Sequence, residues 1–217
     1  MIPNTSSIEL KEISAALIPS AAKLVAASFY DNPAHIYLCP NDKTRLAYLT
    51  WLLGANLKLQ LKYGAESFCL SKDDTTRAMG FWTKPNETII GMGAKLKAGL
   101  WQVPFKMGMD GFKRTMEVTA GIEDHLKRSM KTVQAYRYLN NMVIQEDMRG
   151  KGLGSQILQK QFQIIANQTP NAVLALSTQR YWTVKFYERL GFEVVLEEKI
   201  GTGILAFKNW TMKKYCG

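Results

Sequence analysis

"MRGKGLGS", residues 148–155, sets three glycines and two cations into eight positions. Before it stands "AYRYLNNMVI" (135–144), rich in aromatic and branched residues and predicted to be a strand. After it comes "SQILQKQFQIIANQ" (155–168), whose apolar residues recur at helical spacing. The octet is therefore a strand-to-helix turn. The first backbone N–H groups of a helix lack partners, and the helix dipole puts partial positive charge there. Gly150, Gly152 and Gly154 let the backbone approach a ligand and adopt positive φ, and Arg149 and Lys151 add charged donors. That chemistry suits a diphosphate.

Two familiar nucleotide loops are excluded by the letters. A dinucleotide loop needs G-x-G-x-x-G and an acid about 20 residues on. Counted from Gly150, the third glycine position is Ser155, and the next strand, "AVLALSTQ", carries no acid. The P-loop pattern G-x-x-x-x-G-K-[ST] does not occur. What fits is R-x-x-G-x-G, on Arg149, Gly152 and Gly154.

Further on, "LSTQRYWTVKFYERLGFEVV" (176–195) holds an apolar strand, a helix with adjacent Phe186 and Tyr187, and Gly191-Phe192 opening another strand. Together with R-x-x-G-x-G this resembles the GCN5-related N-acetyltransferase (GNAT) superfamily. The nearest subgroup by motif is the puromycin N-acetyltransferase-like one, echoed by Leu176, Thr178, Val184, Phe186, Tyr187, Leu190, Gly191 and Phe192. "SFYDNP" and "GFWTKP" are similar to that subgroup as well.

The resemblance implies an acetyl-CoA-dependent N-acetyltransferase, acting on a primary amine of a small molecule by direct attack in a ternary complex. It implies that Arg149, Gly150, Lys151, Gly152, Leu153, Gly154 and Ser155 wrap the cofactor diphosphate. It implies too that Met142, Val143 and Ile144 hold the pantetheine arm like an added strand, with Thr183 and Phe186 near it. Thr183 stands where the subgroup often has asparagine, so one hydroxyl replaces an amide's paired donor and acceptor. Tyr187 is the implied catalytic residue, beside the leaving thiolate. A phenol of pKa ~10 giving its proton to a thiolate of ~8.5 goes uphill by roughly 2 kcal/mol, so a hydrogen bond to the thiolate is favoured over early proton transfer.

The remainder of the chain places these motifs in one α/β (α+β) domain, 1–217, with a mixed sheet of about six to seven strands flanked by helices. "SIELKEI" (7–13) is predicted to be a short strand. A helix is expected from Ser20 to "DNP", and a second from Asp42, as N-cap, to Tyr63. "SFCLSKDDTTRAMGFWTKP" (67–85) is predicted to be a hairpin turning at "KDDTT". Residues 86–134, rich in Met, Lys and Gly, are predicted to form a helical insertion or lid before the cofactor strand. Its helical spacing runs from Thr88 to Leu100 and from Gly108 to Met130, with Pro104 as the break. "FEVVLEEKI" and "ILAFKNWTMKK" are expected as closing antiparallel strands.

Hydrophobic residues at 47% and charged residues at 21% describe a chain with a real core, and a net charge of +10 suits an anionic partner. Three scattered cysteines favour reduced thiols. No signal sequence or run of ~18 apolar residues is visible, so the expected location is cytoplasmic, with no stable membrane insertion and no nucleic-acid partner. His35 and Cys39, four apart, make no metal site alone, and His125 has no sequence companion. Glu66, Glu117 and Asp31 are candidate bases, none assigned. The oligomeric state stays open between monomer and homodimer. Alternatives are a protein or peptide N-acetyltransferase and a non-catalytic CoA-binding module. A surface-associated module is a further one, since "KLKAGLWQVPFKMGMDGFKR" (95–114) mixes lysines with Trp101 and Phe105.

Overall fold

The computed structural model describes residues 9–85 and 90–216. Its strands are β1 (Glu66–Lys72), β2 (Thr75–Trp82), β3 (Tyr136–Ile144), β4 (Ala172–Thr178), β5 (Glu193–Ile200) and β6 (Phe207–Cys216), in one sheet of order β1-β2-β3-β4-β6-β5. The expected mixed sheet is present, with β3 and β4 parallel and the other neighbours antiparallel. The helices are α1 (Ile18–Phe29), α2 (Pro33–Leu38), α3 (Asp42–Lys62), α4 (Met92–Lys97), α5 (Val103–Ser129), α6 (Leu153–Gln168) and α7 (Tyr181–Glu188).

Alternation along β2 separates two cores. Ala78 and Trp82 face α6 and α7, packing with Ile157, Leu158, Val184 and Leu176. Met79 and Phe81 face α1 and α3, packing with Val25, Leu49 and Leu57. Beyond them, α2 and α5 cover the sheet through Tyr37, Val118, Ile200 and Phe207. Central β4 is buried almost throughout, as its apolar run requires.

Two irregularities in β3 matter for the site. Its pairing with β4 covers only Tyr136, Arg137 and Tyr138. From Leu139 to Ile144 the β4-side edge has no strand partner among the described residues, while β4 continues along β6. Against β2, the pairs Met79–Val143 and Phe81–Asn140 enclose one extra residue on β3, and Asn141 sits there at φ 54°. This is a β-bulge.

Several sequence expectations are corrected. "SIELKEI" begins outside the described residues, and the rest of it makes one bridge, Lys11 to Cys69, in place of a strand. The N-cap of α3 is Asn41, whose side chain accepts from Lys43 N at 3.0 Å. Asp42 is already helical, and its carboxylate benefits from the dipole of the first turn. "DNP" ends α1 and also starts α2, because Asn32 caps it by accepting from Ala34 N at 2.9 Å. In the insertion, Thr88 lies outside the described residues. Pro104 does not break α5 but stands in its first turn, where no N–H is needed. The break comes at Gly108, at φ 69° and ψ 176°. Finally, β6 starts at Phe207, after a 3-10 turn at Gly203–Leu205.

Candidate functional site

The octet forms the entry to α6. Gly150 and Gly152 take φ 73° and 76°, a conformation that β-carbons disfavour. A Cβ on Gly150 would meet nothing within 4 Å, so the backbone there fronts open space. The N-cap of α6 is Gly152, which has no side chain to satisfy the N–H groups of Leu153, Gly154 and Ser155. Their donors, the positive-φ turn and the helix dipole together make an anion cradle. The two cations are themselves held. Arg149 donates from Nε to Ile144 O at 2.8 Å and from Nη2 to Ser28 Oγ at 3.0 Å, while Lys151 Nζ donates to Asp147 O at 2.7 Å.

Three predicted cofactor residues meet at one point. A Cβ on Gly154 would stand 3.4 Å from Phe186 Cζ and 3.8 Å from Ile144 Cδ1, so β3, α6 and α7 converge there. Met142 and Ile144 pack with the α6–α7 core, Val143 is buried toward α1 and α3, and Leu153 anchors the helix in the core. Thr183 is half-buried in α7.

Tyr187 is 7% exposed, with its ring 5.1 Å from Phe186 and 5.6 Å from Phe192, both edge-on. Burial pushes its phenol well above the ordinary value, and nearby Tyr138 adds to this. Tyr138 is raised by burial too. Tyr187 therefore keeps its proton at physiological pH.

On the other side of the sheet lies a cavity of about 290 Å3. Its walls come from α2 (His35, Leu38), α3 (Trp51, Leu53, Asn56, Gln60), the α4 segment (Lys95, Leu100) and α5 (Thr115, Val118, Ile122, Glu123). It reaches the sheet at Tyr138 and Asn140, where β3 loses β4 as a partner. A chain of polar contacts ties its α5 wall to the sheet. Asn32 Nδ2 donates to Gln179 Oε1 at 3.2 Å, Gln179 Nε2 to Asn209 Oδ1 at 2.8 Å, and Asn209 Nδ2 to His125 Nδ1 at 3.1 Å. His125 Nε2 lies 3.4 Å from Glu198 Oε2.

Residues 118–215 match a family model described as acetyltransferase (GNAT) domain. The likeness to GNAT acetyltransferases by sequence thus spans just under half of the chain. GNAT acetyltransferases draw their acetyl group from acetyl-CoA, and the chain is an acyltransferase with that donor.

The GNAT fold also appears in three solved structures. Arylalkylamine N-acetyltransferase 2 from Aedes aegypti is 13% identical, with a TM-score of 0.66 over 97% of this chain and 100% of its own. Drosophila melanogaster polyamine N-acetyltransferase is 9% identical, with a TM-score of 0.58 over 95% and 99%. The ribosomal-protein-S18-alanine N-acetyltransferase from Escherichia coli is 11% identical, with a TM-score of 0.53 over 96% and 94%. At such identities the likeness is one of fold. No curated protein gives a significant sequence match.

The residues present fit the donor of a GNAT enzyme. The loop offers an uncapped helix start facing open space, and β3 offers beside it an edge that β4 leaves unpaired, with Ile144 O held by Arg149. The three candidate bases lie elsewhere. Glu66 pairs with Arg137 at 2.7 Å, Glu117 accepts from Tyr37 Oη at 2.5 Å, Asp31 pairs with Arg180, and none of them lines the cavity. Sequence reasoning missed Lys95, Glu123, Tyr138 and Asn140, and considered His35 only as a metal ligand. Among the described residues no group of three or more His, Cys, Asp or Glu could hold a metal, and no helix is long and apolar enough to cross a membrane. Cys39, Cys69 and Cys216 are free and buried.

Proposed function

We propose that the protein is an N-acetyltransferase that transfers acetyl from acetyl-CoA to a primary amine of a small molecule bound in the α2–α5 cavity. One observation carries the reading. The cavity meets the sheet at Tyr138 and Asn140, where β3 frees the edge that leads through Met142–Ile144 to the glycine loop. Two ligands could thus meet across one strand.

In this reading Arg149, Gly150, Lys151, Gly152, Leu153, Gly154 and Ser155 hold the diphosphate through backbone N–H groups and fixed positive charge. The free edge of Met142, Val143 and Ile144 hydrogen-bonds the extended arm, with Thr183 and Phe186 along it. Bound acetyl-CoA supplies a thioester whose acetyl group a free amine can attack. Tyr187, kept protonated by burial, is the hydrogen-bond donor for negative charge that develops on sulfur. Its raised pKa widens the gap to a thiolate and makes it a poorer acid than an ordinary phenol, so stabilisation comes from the hydrogen bond.

The whole chain acts as one domain in this proposal. Helices α4 and α5 are the lid that closes the acceptor side, against the open groove that a protein substrate requires. Leu176, Thr178, Val184, Phe186, Tyr187, Leu190, Gly191 and Phe192 support the puromycin N-acetyltransferase-like subgroup.

Titration with acetyl-CoA tests the reading. Saturation at 100 times Kd adds about 2.7 kcal/mol to the folded state, and a rise of roughly 5–10 °C in Tm is expected for a chain of this size. Thiol release from acetyl-CoA is then followed with small primary amines and with a lysine-rich peptide. Absence of a thermal shift at millimolar acetyl-CoA overturns the proposal, and turnover of the peptide alone moves it to protein acetylation.

A further inference from the structure

Among the described residues the acceptor cavity carries its charge in one pair. Lys95 of α4 is salt-bridged to Glu123 of α5, and both side chains line the cavity while being only 17% and 28% exposed. His35 also lines it, stacked on Phe29 at 5.1 Å, and burial with Arg180 nearby holds its imidazole at a pKa of about 4, so it is neutral. The remaining polar wall consists of uncharged groups such as Asn56, Gln60, Thr115 and Asn140. Trp51 and several aliphatic side chains make up the rest.

A primary amine reacts as the free base, so the reacting nitrogen needs no counter-charge once its proton has gone. A second ammonium elsewhere on the acceptor has no such release. It would enter a largely apolar cavity where the carboxylate is already matched and where Lys95 repels it. We infer that the acceptor is a monoamine with an apolar body, and that Lys95, by neutralising Glu123, is the specificity residue that turns away diamines, polyamines and basic peptides. This rests on the cavity being the acceptor site of the proposed N-acetyltransferase.

The pair also joins α4 to α5, so a purely structural role must be separable. Hexylamine and 1,6-diaminohexane differ only in the terminal ammonium and serve as probes. Each is titrated into the acetyl-CoA-saturated protein by thermal shift and assayed by thiol release. The wild type is expected to prefer hexylamine by on the order of 100-fold in both Kd and kcat/KM, the size of effect that like-charge juxtaposition produces. Lys95→Met leaves Glu123 unmatched and should erode this preference, raising the diamine-to-monoamine ratio at least about tenfold. Glu123→Gln leaves Lys95 unmatched and should favour 6-aminohexanoate over both probes. The double variant should return to hexylamine.

Equal response of the wild type to the two amines, or to neither, overturns the inference. So does a Lys95→Met protein that still shows the acetyl-CoA shift but keeps the wild-type ratio, since a loosened lid would weaken both amines alike. Thermal-shift preferences that follow charge without any thiol release would leave the charge rule standing and bring down the acetyltransferase reading instead.

Discussion

The ring edge of Phe186 lies 3.4 Å from the point where a Cβ on Gly154 would stand. That contact seats α7 against the first turn of α6, bringing the glycine loop and the residue before Tyr187 within one layer of packing. Gly154→Ala is expected to fold and bind acetyl-CoA nearly as wild type, because 3.4 Å is tolerable contact. Gly154→Leu must push Phe186 away, with the 1–3 kcal/mol typical of overpacking. Comparing Tm and the acetyl-CoA shift of the two variants checks this, and equal behaviour would show that the contact does not organise the site.

Tyr187→Phe keeps the ring packing with Phe186 and Phe192 and removes only the donor. A fall of roughly 100-fold in kcat is expected, with the acetyl-CoA thermal shift retained. Because burial raises the Tyr187 pKa, wild-type kcat should show no Tyr187 ionisation up to pH 10. Steady-state rates from pH 7 to 10 on both proteins decide it.

Gly150 and Gly152 differ from Gly154 in being held at positive φ. An alanine at either position costs about 1 kcal/mol of backbone strain, although Gly150 faces open space. If the strain relaxes by turning the N–H groups, the loss falls on the cofactor. KM for acetyl-CoA should rise about tenfold for Gly152→Ala, with the Tm of the free protein down by only a few degrees. A large Tm loss with unchanged KM would refute the assignment.

His35 links stability to acid. Its folded-state pKa of about 4 lies below the ordinary 6.5, so the unfolded chain binds the extra proton first as pH falls. The His35 contribution is present above pH 6.5 and is lost progressively down to about pH 4, by up to roughly 3 kcal/mol. His35→Gln should be less stable at pH 7.5 yet lose less on acidification to pH 4.5. Urea midpoints at the two pH values measure both slopes, and parallel slopes would exclude His35.

Asn209 stands between Gln179 and His125 in the polar chain that holds the α5 wall. Asn209→Leu leaves His125 Nδ1 buried and unpaired, at a cost of about 1–3 kcal/mol. Chemical denaturation measures it, and a neutral result would mean that α5 is held by apolar packing alone.

What could be read from the letters was what local chemistry dictates. Glycines 150, 152 and 154 with Arg149 needed only their neighbours to indicate an anion-binding turn, and "AVLALST" needed only its own apolar run to be a central strand. Asp42 was misplaced by one residue because Asn41 beside it caps equally well, and backbone dihedrals decide between them. Pro104 looked like a breaker since a proline's effect depends on which turn of the helix it occupies. The wall of the α2–α5 cavity was out of reach for a different reason. Lys95 and Glu123 are 28 positions apart on separate helices, and only tertiary packing tells a matched pair in a cavity from two solvated charges. The roles of Arg149 and Lys151 were equally indistinct, because nothing local shows that Ile144 O, Ser28 and Asp147 O receive their donors.

The extra residue at Asn141 reverses the parity of β3. In an unbroken strand, side chains 138, 140, 142 and 144 would share one face. Here Tyr138 and Asn140 look into the α2–α5 cavity, whereas Met142 and Ile144 pack toward α6 and α7. One strand thereby addresses two compartments with consecutive halves. Excising Asn141 would join Asn140 directly to Met142, which ordinary alternation puts on the opposite face, so Met142 and Ile144 would keep the side they have now and only the bulge would be lost.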